Sequence, residues 1–365
     1  MKILLFGEYS NVHWTLAEAY RKLGHEVLVV SDGDWWKNYQ RDINIPYHNK
    51  FKFAVFLLRI IFDKRFKNND IVQLISYRFL FKNKLGSLNK FFFNFLKKNN
   101  KKIIMSAFGD DYYYVQACLQ KKLEYNPIKE IDNNLDYVKD VFSVHYSEVA
   151  KNLNKYVASQ SDGIVACMYD YFVSYQDDYK NKLVAIPLPV DIEKIQYRDN
   201  LYAEKLKIFL GVQKFRIEWK GTDYILKCLE IVKEKHKDSI DVHIVENVPY
   251  DEYVSLFSES NLFFDQTHSY AQGMNGLIAM AQGKILFGGG EYKHYELLGE
   301  KTNFPIVNIT SDIQDMYNKI EYFIDKKNHV LELGKQSRQY IEDHHDSLKI
   351  GQDYINYYER ILKSK

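Results

Sequence analysis

Cysteine is scarce. The 365 residues hold Cys118, Cys167 and Cys228, far apart and without a CxxC pair, which excludes a disulfide framework and a thiolate zinc site and fits a reduced, cytoplasmic compartment. Charge of one sign is also lacking. Fifty Lys and Arg against 48 Asp and Glu leave a net +2, without the basic excess that nucleic acid requires, so no nucleic-acid partner is expected. No window of 18 uncharged apolar residues exists, and Met1-Lys2 is followed by too short an apolar run before Glu8 for a secretory signal; neither a membrane span nor a leader is expected. The GxGxxG dinucleotide fingerprint is absent. Prolines number six, and two of them, Pro187 and Pro189, open a linker-like stretch to Asn200.

What is present is a long globular chain with 46% hydrophobic and 27% charged residues, enough for two domains with separate cores. Lys2–Phe6 (KILLF) is a buried strand, followed by a loop through Asn11. A helix comes next, with Leu16, Ala19, Tyr20 and Leu23 at helical spacing, then Gly24 and a strand at Glu26–Val30. That opening is Rossmann-like. Further strands are expected at 70–75, 102–107, 163–167 and 183–186, and a helix around 143–157. After the linker come strands at 206–210, 241–245, 261–264, 284–287 and 305–308, separated by helices near 223–235, 250–259, 273–282 and 311–326. Such alternation predicts a parallel sheet. From about Lys327 the chain reads as helix to its end.

Tyrosine and phenylalanine are abundant, 30 and 23, and concentrate in the first half. In 51–62 the only charges are Lys52 and Arg59, seven apart; in 90–98, Lys90, Asn94, Lys97 and Lys98 share a face. Two readings are open: peripheral helices in a membrane interface, or helices packed on a sheet with solvated lysines.

The stretch Asp265–Gly290 (DQTHSYAQGMNGLIAMAQGKILFGGG) reads as strand end, polar loop, small-residue helix, apolar strand and three glycines. A loop feeding a helix N-terminus at the carboxyl edge of an α/β sheet suits a diphosphate, or is an ordinary βαβ unit. Phe215–Asp223 follows the first strand of the second half. Arg216 and Lys220 in that loop offer a fork of donors and a point charge for a diphosphate, or are solvated loop cations. Thr222 is expected to cap the following helix. The pairs Asp110-Asp111, Asp177-Asp178 and His344-His345 are read as solvated or surface residues rather than metal ligands.

Arg-x-x-x-Lys-Gly-Thr-Asp, then Pro-Tyr-x-x-Tyr at 249–253, then Ala-Met-Ala-x-Gly before an apolar strand and glycines, resembles the donor lobe of GT-B glycosyltransferases, the family 4 group above all. The opening through Asp34 and the 182–193 stretch are similar to that group as well. The resemblance implies an α/β GT-B fold: two Rossmann-like lobes with parallel sheets facing a central cleft, and a C-terminal helix crossing back to the first lobe. The domains would be an acceptor-side lobe at 1–190, a nucleotide-sugar donor lobe at 200–345, and a helix at 346–365 packing on the first lobe. It implies a metal-independent enzyme with no cofactor, moving a sugar from a nucleoside-diphosphate donor to a glycan or lipid-linked glycan of surface-polysaccharide type. The site would be cytoplasmic, with 51–62 and 90–98 as the segments that could reach the inner face of the membrane.

By the same resemblance the donor binds Arg216, Lys220, Glu246 and the loop Gln272, Gly273, Met274, Asn275 and Gly276, and the catalytic residues are Asn11, His13 and Asp110. The family's two carboxylates, a Glu, seven residues and a second Glu, fall here on Tyr270 and Ile278. Glu246, Asp265, Glu291 and Glu296 are the candidates to replace them. Loss of those acids leaves a second expectation open, a non-catalytic nucleotide-sugar binder in a polysaccharide assembly.

Overall fold

β-Branched and aromatic runs with apolar residues on both faces make strands that must be covered on both sides, and that is the sequence pattern of a parallel sheet. In the computed structural model, which describes every residue except 82–85, 133, 247–249 and 365, those runs form two such sheets. Strands β1 (Lys2–Phe6), β2 (Glu26–Ser31), β3 (Ile43–Asn44), β4 (Ile71–Leu74), β5 (Lys102–Ala107), β6 (Gly163–Ala166) and β7 (Leu183–Ala185) are ordered β3-β2-β1-β4-β5-β6-β7. Strands β8 (Leu206–Val212), β9 (Ile240–Glu246), β10 (Leu262–Phe264), β11 (Ile285–Gly288) and β12 (Val307–Asn308) are ordered β12-β11-β10-β8-β9. Every pairing in both sheets is parallel.

The chain divides into two compact units: Met1–Gln116 with Val141–Pro189 and Ser347–Lys365, and Ala117–Asp140 with Val190–Asp346. The 117–140 segment, placed by the sequence within 1–190, thus groups with the second sheet.

In the first unit, helix α1 (Val12–Lys22) and the final helix Ser347–Lys363 pack face to face. Gly351 allows the close approach: a Cβ there would stand 2.9 Å from that of Ala19. Tyr20, Tyr354 and Tyr358 fill the seam edge-on. The Tyr358 hydroxyl donates to Gln73 in β4, whose amide donates to Ser106 in β5 at 2.9 Å. This polar line satisfies a glutamine buried in the middle of the sheet. Helix α2 (Lys50–Phe62) and helix α3 (Leu88–Asn99) contribute Phe56, Ile60, Phe92, Phe93 and Leu96 to the core of this unit.

In the second unit the core lies between the sheet and helices Thr222–Lys235, Ile313–Ile324 and Lys327–His344. Of the Pro-Tyr-x-x-Tyr motif, Pro249 lies outside the described residues. Tyr253 is a packing residue, edge-on to Phe209 at 5.1 Å.

Candidate functional site

In an open parallel sheet a crevice forms at the carboxyl ends of the two strands whose connections leave in opposite directions. In the second sheet those strands are β8 and β10, since β8 connects to β9 on one side and β10 to β11 on the other. The two loops there are the ones singled out from sequence, Gln213–Gly221 and Asp265–Gly273.

They are fastened to each other. The Thr267 amide donates to Lys220 O at 2.9 Å, the Thr267 hydroxyl reaches Gly221 O at 3.4 Å, and His268 Nδ1 lies 3.3 Å from Trp219 O. Burial holds the His268 pKa below its ordinary value, so the neutral ring donates through Nδ1 and accepts the Ser311 hydroxyl at Nε2, 3.2 Å away. Gly221, not Thr222, is the N-cap of the Thr222–Lys235 helix, and no side chain caps it. The reason is steric: Gly221 has φ +67, and a Cβ there would sit 1.9 Å from Thr267 Oγ1.

Lys220 Nζ lies 3.4 Å from Asp265 Oδ1, and Asp265 Oδ2 accepts the Gly273 amide at 3.0 Å. Gly273 is the N-cap of helix Met274–Ala281, whose first-turn amides, Met274 to Gly276, have no carbonyl within the helix to bond. One carboxylate therefore bridges the loop cation and the helix N-terminus, where a diphosphate was expected.

The other donor-side residues divide. Arg216, half-buried, closes the short turn after β8, its amide bonded to Gln213 O at 2.8 Å. Glu246, at the end of β9, pairs with Lys214 at 2.6 Å, a cation the sequence reading passed over. Gln272 turns inward rather than towards a ligand: it is buried, with Nε2 3.4 Å from His294 Nε2. Burial, with His345 and His344 behind it, pushes His294 down to about 3, so its ring is neutral and takes the Gln272 amide. Gly276 is buried against Leu286, with 2.9 Å left for a Cβ. Met274 is half-buried and Asn275 exposed.

Tyr270 is buried; its hydroxyl accepts the Glu124 amide at 2.7 Å, and its ring tilts against Tyr125, centroids 4.8 Å apart. Tyr125 in turn donates to Glu291 Oε1 at 2.9 Å, Asn308 Nδ2 reaches the same oxygen at 2.7 Å, and the Glu291 amide bonds Tyr270 O. A half-buried carboxylate thus stands beside the tyrosine that replaces an acid. Glu296 is exposed on its helix.

In the first sheet the corresponding strands are β1 and β4. The Gly7–Asn11 loop enters α1 through two left-handed residues, Ser10 (φ 52) and Asn11 (φ 66), and Tyr9 reaches Ser76 after β4 at 3.2 Å. Asn11 is half-buried at the helix start, its amide 3.5 Å from Thr15 Oγ1. A residue missed by sequence in this loop is Glu8. It is buried, and its two oxygens accept the His13 and Trp14 amides at 3.1 and 2.9 Å, so the N-terminus of α1 carries a built-in carboxyl group. His13 is buried too, with Nδ1 2.8 Å from Gly7 O; burial pushes it down to about 4. It is a neutral loop anchor that donates through Nδ1 to Gly7 O, and its buried Nε2 meets no partner among the described residues. Asp110 is half-buried after β5, whereas Asp111 is buried and takes the Tyr175 hydroxyl and the Tyr114 amide. Among the described residues no group of three or more His, Cys, Asp or Glu is placed to hold a metal ion.

Burial pushes Glu8 up to about 8, against the amides that lower it. Between its ordinary value of 4.5 and about 8 the folded chain holds a proton that the unfolded chain has released, so stability present below pH 4.5 is lost as pH rises through 8. Asp111, pushed to about 7 mainly by burial, acts in the same sense up to that pH. Glu8→Gln is expected to reduce the fall in urea midpoint between about pH 7 and 8.5, where His13 no longer titrates and Asp111 adds only the end of its own titration; an unchanged slope would show that Glu8 is ionised throughout.

No protein-family model matches the chain, and no curated protein matches it in sequence. Solved structures do match over its whole length. Sucrose-phosphate synthase from Thermosynechococcus elongatus superposes with a TM-score of 0.63 at 10% identity, covering 100% of both chains. Anabaena HepE, in complex with UDP and glucose, gives 0.60 at 13%, covering 99% of this chain and 100% of that one. UDP-GlcNAc 2-epimerase from Neisseria meningitidis, bound to UDP-GlcNAc, gives 0.55 at 11%, covering 99% and 100%. The fold is therefore that of the GT-B glycosyltransferases, with two Rossmann-like units, parallel sheets, and a C-terminal helix returned to the first unit. At these identities the likeness is one of fold.

Proposed function

We propose that the protein is a metal-independent glycosyltransferase that moves a hexose or related sugar from a nucleoside diphosphate to a glycan or lipid-linked glycan, of the kind built into surface polysaccharides. The observation that carries this reading is the meeting of Lys220, Asp265 and the Gly273 amide at the switch point between β8 and β10. A cation and a helix N-terminus already hold one carboxylate there, and both favour the charge of a leaving diphosphate. Arg216 completes the cationic side. Glu291, held by Tyr125 and Asn308, supplies the carboxylate for sugar or ribose hydroxyls that Tyr270 and Ile278 lack. Asn11 and Asp110 serve the acceptor. A lipid-linked acceptor would bring the protein to the inner face of the cell membrane.

A thermal-shift screen of uridine, guanosine, adenosine and thymidine diphosphates tests the reading, because a ligand of the native state raises its apparent stability. At least one should raise Tm. No response to any of them would remove the donor site. Asp265→Asn keeps an oxygen for the Gly273 amide but releases Lys220, so it is expected to tighten nucleoside diphosphate binding several-fold by calorimetry. Weaker binding would mean that Asp265 itself contacts the ligand.

Tyr270 and Ile278 favour a second reading, a nucleotide-sugar binder without transfer activity; binding without transfer or hydrolysis across a panel of nucleotide sugars would select it. The epimerase among the structures of the same fold adds a third outcome for that panel, a donor returned with an inverted centre.

A further inference from the structure

An α-helix on a sheet surface ordinarily turns one apolar stripe inward and a polar face outward. Helix α2 does not. Its inner side is Phe56 and Ile60, with Phe53 and Leu57 partly covered. At 100° per residue, Phe51, Val55, Leu58 and Phe62 fall within about 40° of one line, and that line lies opposite Ile60. These four are 78%, 49%, 57% and 74% exposed. The flanks are cationic: Lys52 and Arg59 on one side and Lys50 on the other, all exposed. In α3 only Leu88 and Phe91 are exposed apolar residues. Its Lys90 sits over the Tyr156 ring at 4.1 Å, and Asn94 accepts the Tyr156 hydroxyl. The two helices expected to behave alike are thus different: α3 is a sheet helix, and α2 has an unpartnered outer face.

We propose that the outer face of α2 docks on an anionic lipid bilayer, with Phe51, Val55, Leu58 and Phe62 in the headgroup–acyl boundary and the flanking cations against acidic headgroups. Charge decides the occupant. From Lys50 to Lys67 there are six Lys and Arg and one acid, Asp63, and that acid is taken by Arg65 and Arg59, which hold its carboxyl below the usual range. A second copy of the chain would bring the same cations against themselves across a two-fold contact; an anionic surface complements them. Lysine and arginine stems reach past an apolar stripe while their heads stay in water. The 13-residue helix is about 20 Å long, too short to span a bilayer, so it lies in the surface plane. Among the described residues no helix is long and apolar enough to cross a membrane. The Asn49 side chain caps the helix by accepting the Lys52 amide at 2.9 Å, so the face is preformed. The inference goes beyond the glycosyl-transfer reading and stands on the exposed side chains alone.

The test is co-sedimentation of the full chain with phosphatidylcholine vesicles, with and without phosphatidylglycerol, at low and high salt. The chain is expected to pellet with the anionic vesicles at low salt and to stay in solution with phosphatidylcholine alone. The triple variant Phe51→Ser, Leu58→Ser, Phe62→Ser should lose at least about tenfold in partition while keeping its circular dichroism and its Tm response to nucleoside diphosphates. A second variant, Lys50→Glu with Lys52→Glu, places acids at a helix N-terminus that tolerates them and should also lose binding. Wild-type protein left in the supernatant, or equal pelleting of the triple variant, overturns the proposal. So does a lipid-free dimer that the triple variant dissolves, which would assign the face to a second copy. Wild-type protein that binds vesicles but no nucleotide leaves this inference standing and removes the donor site instead.

Discussion

Lys220→Ala is expected to weaken nucleoside diphosphate binding by about 10- to 100-fold, measured by calorimetry on protein whose circular dichroism is unchanged. A hydrogen bond to a charged group contributes about 1.5–3 kcal/mol, and each 1.4 kcal/mol is about tenfold in affinity. The geometry adds a second contribution. Lys220 balances Asp265, 3.4 Å away and nearly buried, so removing the cation leaves a carboxylate facing the incoming phosphate. Part of the loss is therefore repulsion, and the double variant Lys220→Ala, Asp265→Asn should recover some of it. That recovery is a coupling between two residues in contact, measurable by a double-mutant cycle. Additive effects, or wild-type affinity in Lys220→Ala, would place the ligand elsewhere.

The same pair marks how far the sequence could be read. Among the described residues, the alternation of apolar runs located eleven of the twelve strands, because buried parallel strands are continuous apolar segments whatever they pair with. β3 was missed: two residues, Ile43–Asn44, carry no period. The places of Lys220 and the 272–276 loop at the carboxyl edge of the sheet were legible because each follows a strand end and adjoins a helix. What Lys220 touches was not, since Asp265 is 45 residues away and no local spacing records a long-range ion pair.

Glu8 and His294 were missed because burial, not spacing, gives them their roles. Glu8 looks like a loop acid, yet it closes on the amides of α1; His294 looks like a surface residue of a charged helix, yet it is buried under Gln272. The exposed stripe of α2 shows the converse limit: Phe and Leu at helical spacing on both sides of a helix do not say which side is covered. Only the packing of Phe56 and Ile60 does.

Gly289→Ala should have the largest effect on the donor side, with a stability loss of about 3 kcal/mol and no detectable nucleotide binding. The three glycines that end and follow β11 look like a flexible turn, but Gly289 supports the loop beneath the helix N-terminus. A Cβ there would stand 2.5 Å from Ser269 O, 2.6 Å from Ala271 O and 2.7 Å from Ala271 N. All three are backbone atoms of the segment between Asp265 and Gly273, so no side-chain rotation relieves the contact. The loop must move, and Gln272 anchors it to His294 from below. Overpacking of this kind costs about 1–3 kcal/mol even where neighbours yield, and displacement of roughly 1 Å at Gly273 would break its bond to Asp265. The paired control is Gly299→Ala, at a helix end where a Cβ meets nothing within 4 Å. It carries only the cost of its φ of +77, about 1 kcal/mol, and should bind nucleotide as wild type does. Equal binding by Gly289→Ala and Gly299→Ala would show that the 269–273 loop does not form the site.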